Sequence, residues 1–101
     1  MRTPWGRAQD VEELSEGVLR VSTASHGGLK LSRERWEEIP ESVRNVFLNP
    51  LYAEEDCEEP IALALLGLAD DHDRERALKI AQAYERYSTS LFILLGIPDG
   101  E

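Results

Sequence analysis

The spacing of apolar residues changes near residue 32. Gly17 to Ser32 reads GVLRVSTASHGGLKLS, and Val18, Leu19 and Val21 stand beside Ser22 and Thr23, a β-branched run suited to a strand. Alternation puts Leu19, Val21 and Thr23 on one face, expected to be the core face, and Val18, Arg20 and Ser22 on the other. Gly27-Gly28, between apolar runs, predicts a tight primed turn with Leu29-Lys30-Leu31 returning antiparallel. Gln9 to Leu14 predicts a first strand joined through Ser15-Glu16-Gly17, with Gly17 left-handed. A short helix over Ala8 to Leu14 is the alternative.

Beyond Ser32 the spacing is helical. Ser32 is placed to cap a helix over Arg33 to Glu38, which Pro40 ends. Glu41 to Leu48 predicts a second helix, with Val43, Val46 and Phe47 inward. Tyr52 to Glu59 (YAEEDCEE) predicts a third helical segment, kinked or restarted at Pro60 and followed by the apolar run Ile61 to Leu68. Asp70-Asp71-His72-Asp73 is a cap-rich break. A last helix is expected from about Asp73 toward Leu95, with a local weakening at Ser88-Thr89-Ser90 and an end at Gly96 and Pro98. At the N-terminus, Thr3-Pro4-Trp5-Gly6 predicts a turn that plants Trp5 on the sheet. The expected fold class is α+β. A small antiparallel sheet of two or three strands packs against three to five helices, the C-terminal helix being long, in a single domain over residues 1–101. The expected core comprises Trp5, Leu19, Val21, Leu31, Trp36, Val46, Phe47, Ile61, Leu65, Ala81, Tyr84 and Leu91.

Composition narrows the function. An apolar fraction of 42% fits a folded chain, and one cysteine rules out an intramolecular disulfide. MRTPWGRAQD has no apolar core, so no signal peptide is expected, and no apolar run is long enough for a bilayer. These features predict a cytoplasmic protein. Twenty acids against eleven bases give a net charge of −9, which argues against unaided binding to nucleic acid or an anionic membrane. A basic protein surface is the complementary partner.

Two constellations carry candidate chemistry. In the first, Ser25, His26, Gly27 and Gly28 form a candidate functional turn, with His26 paired to Glu55 or Asp56 as a general acid–base couple. Cys57 is a poor nucleophile among carboxylates, which disfavour the thiolate. Ser25 and His26 are adjacent in an extended segment and point to opposite faces. The bland reading is a histidine that hydrogen-bonds across its turn. No recognised ligand spacing points to a metal, and no cofactor motif occurs. In the second, Glu54, Glu55, Asp56, Glu58 and Glu59 place five acids in six positions, with Asp70, Asp71 and Asp73 further on. On a helix that is a carboxylate every ~1.8 Å of axis, against one phosphate charge per ~1.7 Å of duplex DNA. An exposed acidic ridge is expected, a mimic of nucleic acid toward a basic partner. Its bland counterpart is a solvated, well-capped helix face.

Several segments together resemble a small domain family of unknown function found in proteins of bacterial plasmids and phages. They are Thr3-Pro4-Trp5-Gly6 with Ala8-Gln9, Gly17, Ser22-Thr23-Ala24-Ser25-His26-Gly27-Gly28 with Leu31-Ser32, and Glu54-Glu55-Asp56-Cys57. The likeness spans about residues 3 to 60. Where the family pattern often carries an aromatic residue and alanine after the last block, this chain has Glu58-Glu59-Pro60. The resemblance implies a mobile-element setting in a bacterial host and offers no reaction.

The expected function is therefore a non-enzymatic inhibitor. It would bind a nucleic-acid-handling host defence complex such as a CRISPR effector and block its DNA-binding or PAM-reading surface through the acidic ridge. One alternative is a small hydrolase using His26 with Glu55 or Asp56. Another is a structural or homodimerising module with Tyr84, Tyr87, Leu91 and Phe92 as the contact face.

Overall fold

The computed structural model describes residues 1–84 and Tyr87. The fold is α+β. A short hairpin, β1 (Arg2–Thr3) and β2 (Gly6–Arg7), leads into strands β3 (Asp10–Ser15), β4 (Val18–Ser22) and β5 (Gly27–Leu31). Helices α1 (Arg33–Glu38) and α2 (Glu41–Arg44) follow, then strand β6 (Tyr52–Glu54) and helices α3 (Glu59–Leu65) and α4 (Asp71–Ala83). The larger sheet is antiparallel in the order β3-β4-β5-β6, one strand more than expected.

Local chemistry fixes several joints. Gly17 turns β3 into β4 at φ +77°, and a β-bulge sits between Glu13 and Ser15. The helix over Ala8 to Leu14 does not form. Ser32 caps α1, its hydroxyl accepting from the Arg35 N–H at 3.2 Å. Asp70 caps α4 through a reciprocal box with Asp73. Bonds from Asp73, its backbone N–H first, hold the Asp70 carboxyl below its ordinary range.

The glycine pair is not a turn. Gly27 and Gly28 lie inside β5, opposite Ser22 and Val21, and the turn is Thr23 to His26. Thr23 builds it: its hydroxyl accepts from the His26 N–H at 3.1 Å and its own N–H donates to the His26 carbonyl at 2.8 Å. The glycines serve close approach instead. A Cβ on Gly27 would meet the Val21 carbonyl at 2.7 Å, and one on Gly28 would strike the Ala53 carbonyl and the Trp5 ring.

The core face is the opposite of the one alternation suggested. Cross-strand pairs put Val18 with Leu31 and Arg20 with Leu29, and Leu29 faces Ala53 on β6. Val18, Leu29, Leu31 and Ala53 are buried there with Ile39, Val43, Phe47, Ile61, Leu63 and Ala77. The phase follows the pairing with β6, which no local pattern announces. Val21 is buried as well, on the other face, where Trp5 lies over its partner Gly28. Leu19 is half-buried. Trp36, Val46 and Leu65 pack against the core as expected, but Tyr84 is exposed.

Three helical expectations are corrected. Tyr52 to Glu54 is a strand, because β5 has an edge to fill and Tyr52, Ala53 and Glu54 pair with Lys30, Leu29 and Gly28. Helix α2 ends at Arg44, well short of Leu48. Helix α4 ends at Ala83, since Tyr84 is extended and its N–H closes the last turn on the Ile80 carbonyl. The expected features from Ser88 onward, Leu91 and Phe92 included, lie outside the described residues.

Candidate functional site

The site gathers where the β4–β5 turn meets the end of β6. The Thr23 turn delivers His26, and pairing of β6 with β5 brings Glu54 to it. His26 Nε2 lies 2.5 Å from Glu54 Oε1, and Nδ1 lies 3.2 Å from Glu55 Oε1 and 4.0 Å from Asp56 Oδ2. Trp5 meets the imidazole edge-on with ring centres 5.9 Å apart, and meets Tyr52 likewise at 5.6 Å. A satisfied turn histidine and the centre of a carboxylate cluster are here the same residue. Its shortest carboxylate contact is Glu54, where the sequence pointed to Glu55 or Asp56.

Glu54 is 7% exposed and fully engaged. One oxygen accepts from His26 and from the Asp56 N–H at 2.9 Å. The other accepts from the Cys57 N–H at 3.1 Å and the Cys57 thiol at 2.8 Å. Burial alone would raise its pKa. The bonds from the Cys57 thiol, the Asp56 N–H, His26 and the Cys57 N–H outweigh burial and hold the carboxyl below its usual range. Cys57 is thus a donor to a carboxylate through both its N–H and its thiol.

The acidic ridge does not form. Residues Glu54 to Glu59 run from a strand through a turn into the first residue of α3, so their side chains fan out in different directions. Glu58 is 1% exposed and its carboxylate turns inward, accepting from the Leu48 N–H at 2.9 Å and the Glu54 N–H at 3.0 Å. Glu59 is 7% exposed and meets Arg20 Nη2 at 3.4 Å. Burial pushes the Glu59 carboxyl up, against the pull of Arg20 and Arg76. Only Glu55 and Asp56 of the five present a substantial part of the side chain to solvent. Asp70 and Asp71 are exposed and Asp73 half-buried at the start of α4.

Other candidate residues separate from the site. Ser25 is exposed on the turn, and no bond from its hydroxyl to His26 accompanies it among the described contacts. Gly28 contributes the narrow backbone spacing beneath Trp5, and Gly27 lies against the Val21 carbonyl and the Glu55 side chain. Tyr87, proposed for a self-association face, is buried, and its hydroxyl donates to the Cys57 carbonyl at 3.0 Å. An open groove of about 440 Å³ lies beside Glu16, Ser32, Arg35 and Glu38, away from His26. Among the described residues no helix is long and apolar enough to cross a membrane. The inward role of Glu58 was missed from sequence, because nothing in the acidic run shows that its carboxylate accepts from the Leu48 and Glu54 N–H groups.

Residues 1–90 match the family described as Domain of unknown function (DUF7007), and the chain belongs to that family. No curated protein and no solved structure matches the chain.

Proposed function

We propose that this family member is a protein-binding module that docks exposed carboxylates on a basic surface of a nucleic-acid-handling protein. Strand β3 carries the reading. Asp10, Glu12 and Glu13 are all exposed on it, Val11 between them is 49% exposed, and β3 ends the sheet. An edge strand offers unpaired backbone donors and acceptors to an approaching chain. Three acids along it favour a basic one and speed the encounter. Internal neutralisation is slight, since Arg20 reaches Glu12 only at 3.9 Å across exposed side chains. Glu55, Asp56, Asp70, Asp71 and Asp73 add negative charge elsewhere on the surface. Glu54, Glu58 and Glu59 face inward and take no part.

In its finer form the reading is an inhibitor from a phage or plasmid. It occupies the DNA-binding or PAM-reading surface of a host defence complex such as a CRISPR effector. The mobile-element resemblance and the net charge of −9 support this form. The test is DNA binding by a purified effector with the domain in excess. Inhibition should fall steeply with salt and vanish when Asp10, Glu12 and Glu13 are changed to lysine. Inhibition that survives both, or none from the unaltered domain, counts against the reading.

One observation favours a second reading, a small hydrolase: His26 and Glu54 are within hydrogen-bond reach, as general acid–base work requires. Turnover of an ester or phosphoester probe that His26→Ala abolishes would favour it over docking.

A further inference from the structure

The two ring nitrogens of His26 have different surroundings. Nε2 faces Glu54, a buried carboxylate already accepting three other bonds, so Nε2 is the donor of that pair. In the neutral ring this leaves Nδ1 with a lone pair. Nδ1 is turned to solvent-accessible Glu55 and Asp56, and one ligand atom from each of the three residues lies within 4.8 Å of the others. Neighbouring atoms bound to a common ion at about 2.0–2.2 Å stand roughly 2.8–3.6 Å apart in tetrahedral or octahedral geometry. The distances from Nδ1 here are 3.2 and 4.0 Å. Asp56, with a side chain 76% exposed, has room to swing inward by the difference.

The supporting contact comes from a residue outside the three ligands. Histidines that bind metals donate their other ring N–H to a carboxylate, which fixes the tautomer and orientation. Glu54 stands in that position, itself locked by Cys57 and the Asp56 backbone. Trp5 meets the ring edge-on, and the Thr23 turn fixes the His26 backbone. Arg76 approaches, but its guanidinium donates to the Glu55 carbonyl at 3.2 Å.

We propose that His26 Nδ1, Glu55 and Asp56 form a surface site for a divalent first-row transition ion, its remaining positions open to water or to a partner's ligand. One imidazole with two carboxylates suits zinc or manganese better than calcium, which takes oxygen ligands throughout. The site stands apart from β3 and does not depend on the docking reading.

The experiment is calorimetric titration of the full chain with Zn²⁺, against Glu55→Gln/Asp56→Asn and against Glu54→Gln. The unaltered chain should take up a single equivalent. The double variant should bind at least about tenfold more weakly, and Glu54→Gln should lose about tenfold through misorientation of the ring. Cys57 is intact in the double variant, so Zn²⁺ held by the thiol would persist there. An unchanged melting temperature of the double variant without metal separates ligand loss from unfolding. Undiminished binding to the double variant, or no binding by the unaltered chain up to about 1 mM, overturns the proposal.

Discussion

Glu58 and Asp56 are two residues apart and carry the same functional group, yet they work in opposite settings. The Glu58 carboxylate is inside the molecule, closing backbone donors from Leu48 and Glu54 that would otherwise be orphaned. Asp56 is outside, facing His26 and water. Glu54 and Glu59 side with Glu58, and Glu55 with Asp56. A buried carboxylate is tolerated where donors converge on it, and an exposed one is available to a ligand. A run of like charges in sequence is therefore no guide to a charged surface. The acids on β3, the edge strand of the larger sheet, are the contrasting case: Asp10, Glu12 and Glu13 are all exposed.

The comparison can be broken most forcefully at Glu58. Glu58→Ala leaves two backbone N–H groups without their acceptor and should lower unfolding free energy by about 3 kcal/mol, read by urea denaturation. Glu54→Gln keeps the shape but replaces one acceptor with a donor facing donors. A loss of about 2 kcal/mol is expected. At Glu59 the effect is one of pH. Burial raises its folded pKa, so its contribution to stability is present at acid pH and lost as pH rises through that raised value. Glu59→Gln mimics the protonated form. Its melting temperature should gain on that of the unaltered chain as pH climbs above the ordinary glutamate value of 4.5. A difference independent of pH would mean that the ion pair with Arg20 cancels burial, and a melting temperature that falls behind that of the unaltered chain as pH climbs would mean that it outweighs burial. The smallest effect belongs to Glu55→Gln/Asp56→Asn, which without metal should stay within about 0.5 kcal/mol of the unaltered chain.

Features set by adjacent residues were legible in the sequence. The Gly17 turn, the Ser32 and Asp70 caps and the α+β class each follow from a residue and its near neighbours. Gly27-Gly28 has the same local signature whether it turns a hairpin or lets three strands close up, and only the presence of β6 decides. Strand β6 in turn depends on pairing with β5 more than 20 residues earlier, and its Glu54 doubles as the opening of an acidic run. The expected pairing of His26 with carboxylates is present in the structure, but its closest partner is Glu54 rather than Glu55 or Asp56. The sequence pointed to Glu55 and Asp56, and the pairing that turns Glu54 toward His26 is visible only once the register is known.

The central claim is that a buried carboxylate, Glu54, orients His26 and leaves Nδ1 facing Glu55 and Asp56. Nitrogen-15 NMR of the His26 ring, without metal and above neutral pH, tests this most directly. The account predicts a proton on Nε2 in the unaltered chain and in Glu55→Gln/Asp56→Asn, and a changed tautomer balance in Glu54→Gln. A proton on Nδ1 in the unaltered chain, or a balance that follows Glu55 and Asp56 and ignores Glu54, would contradict it.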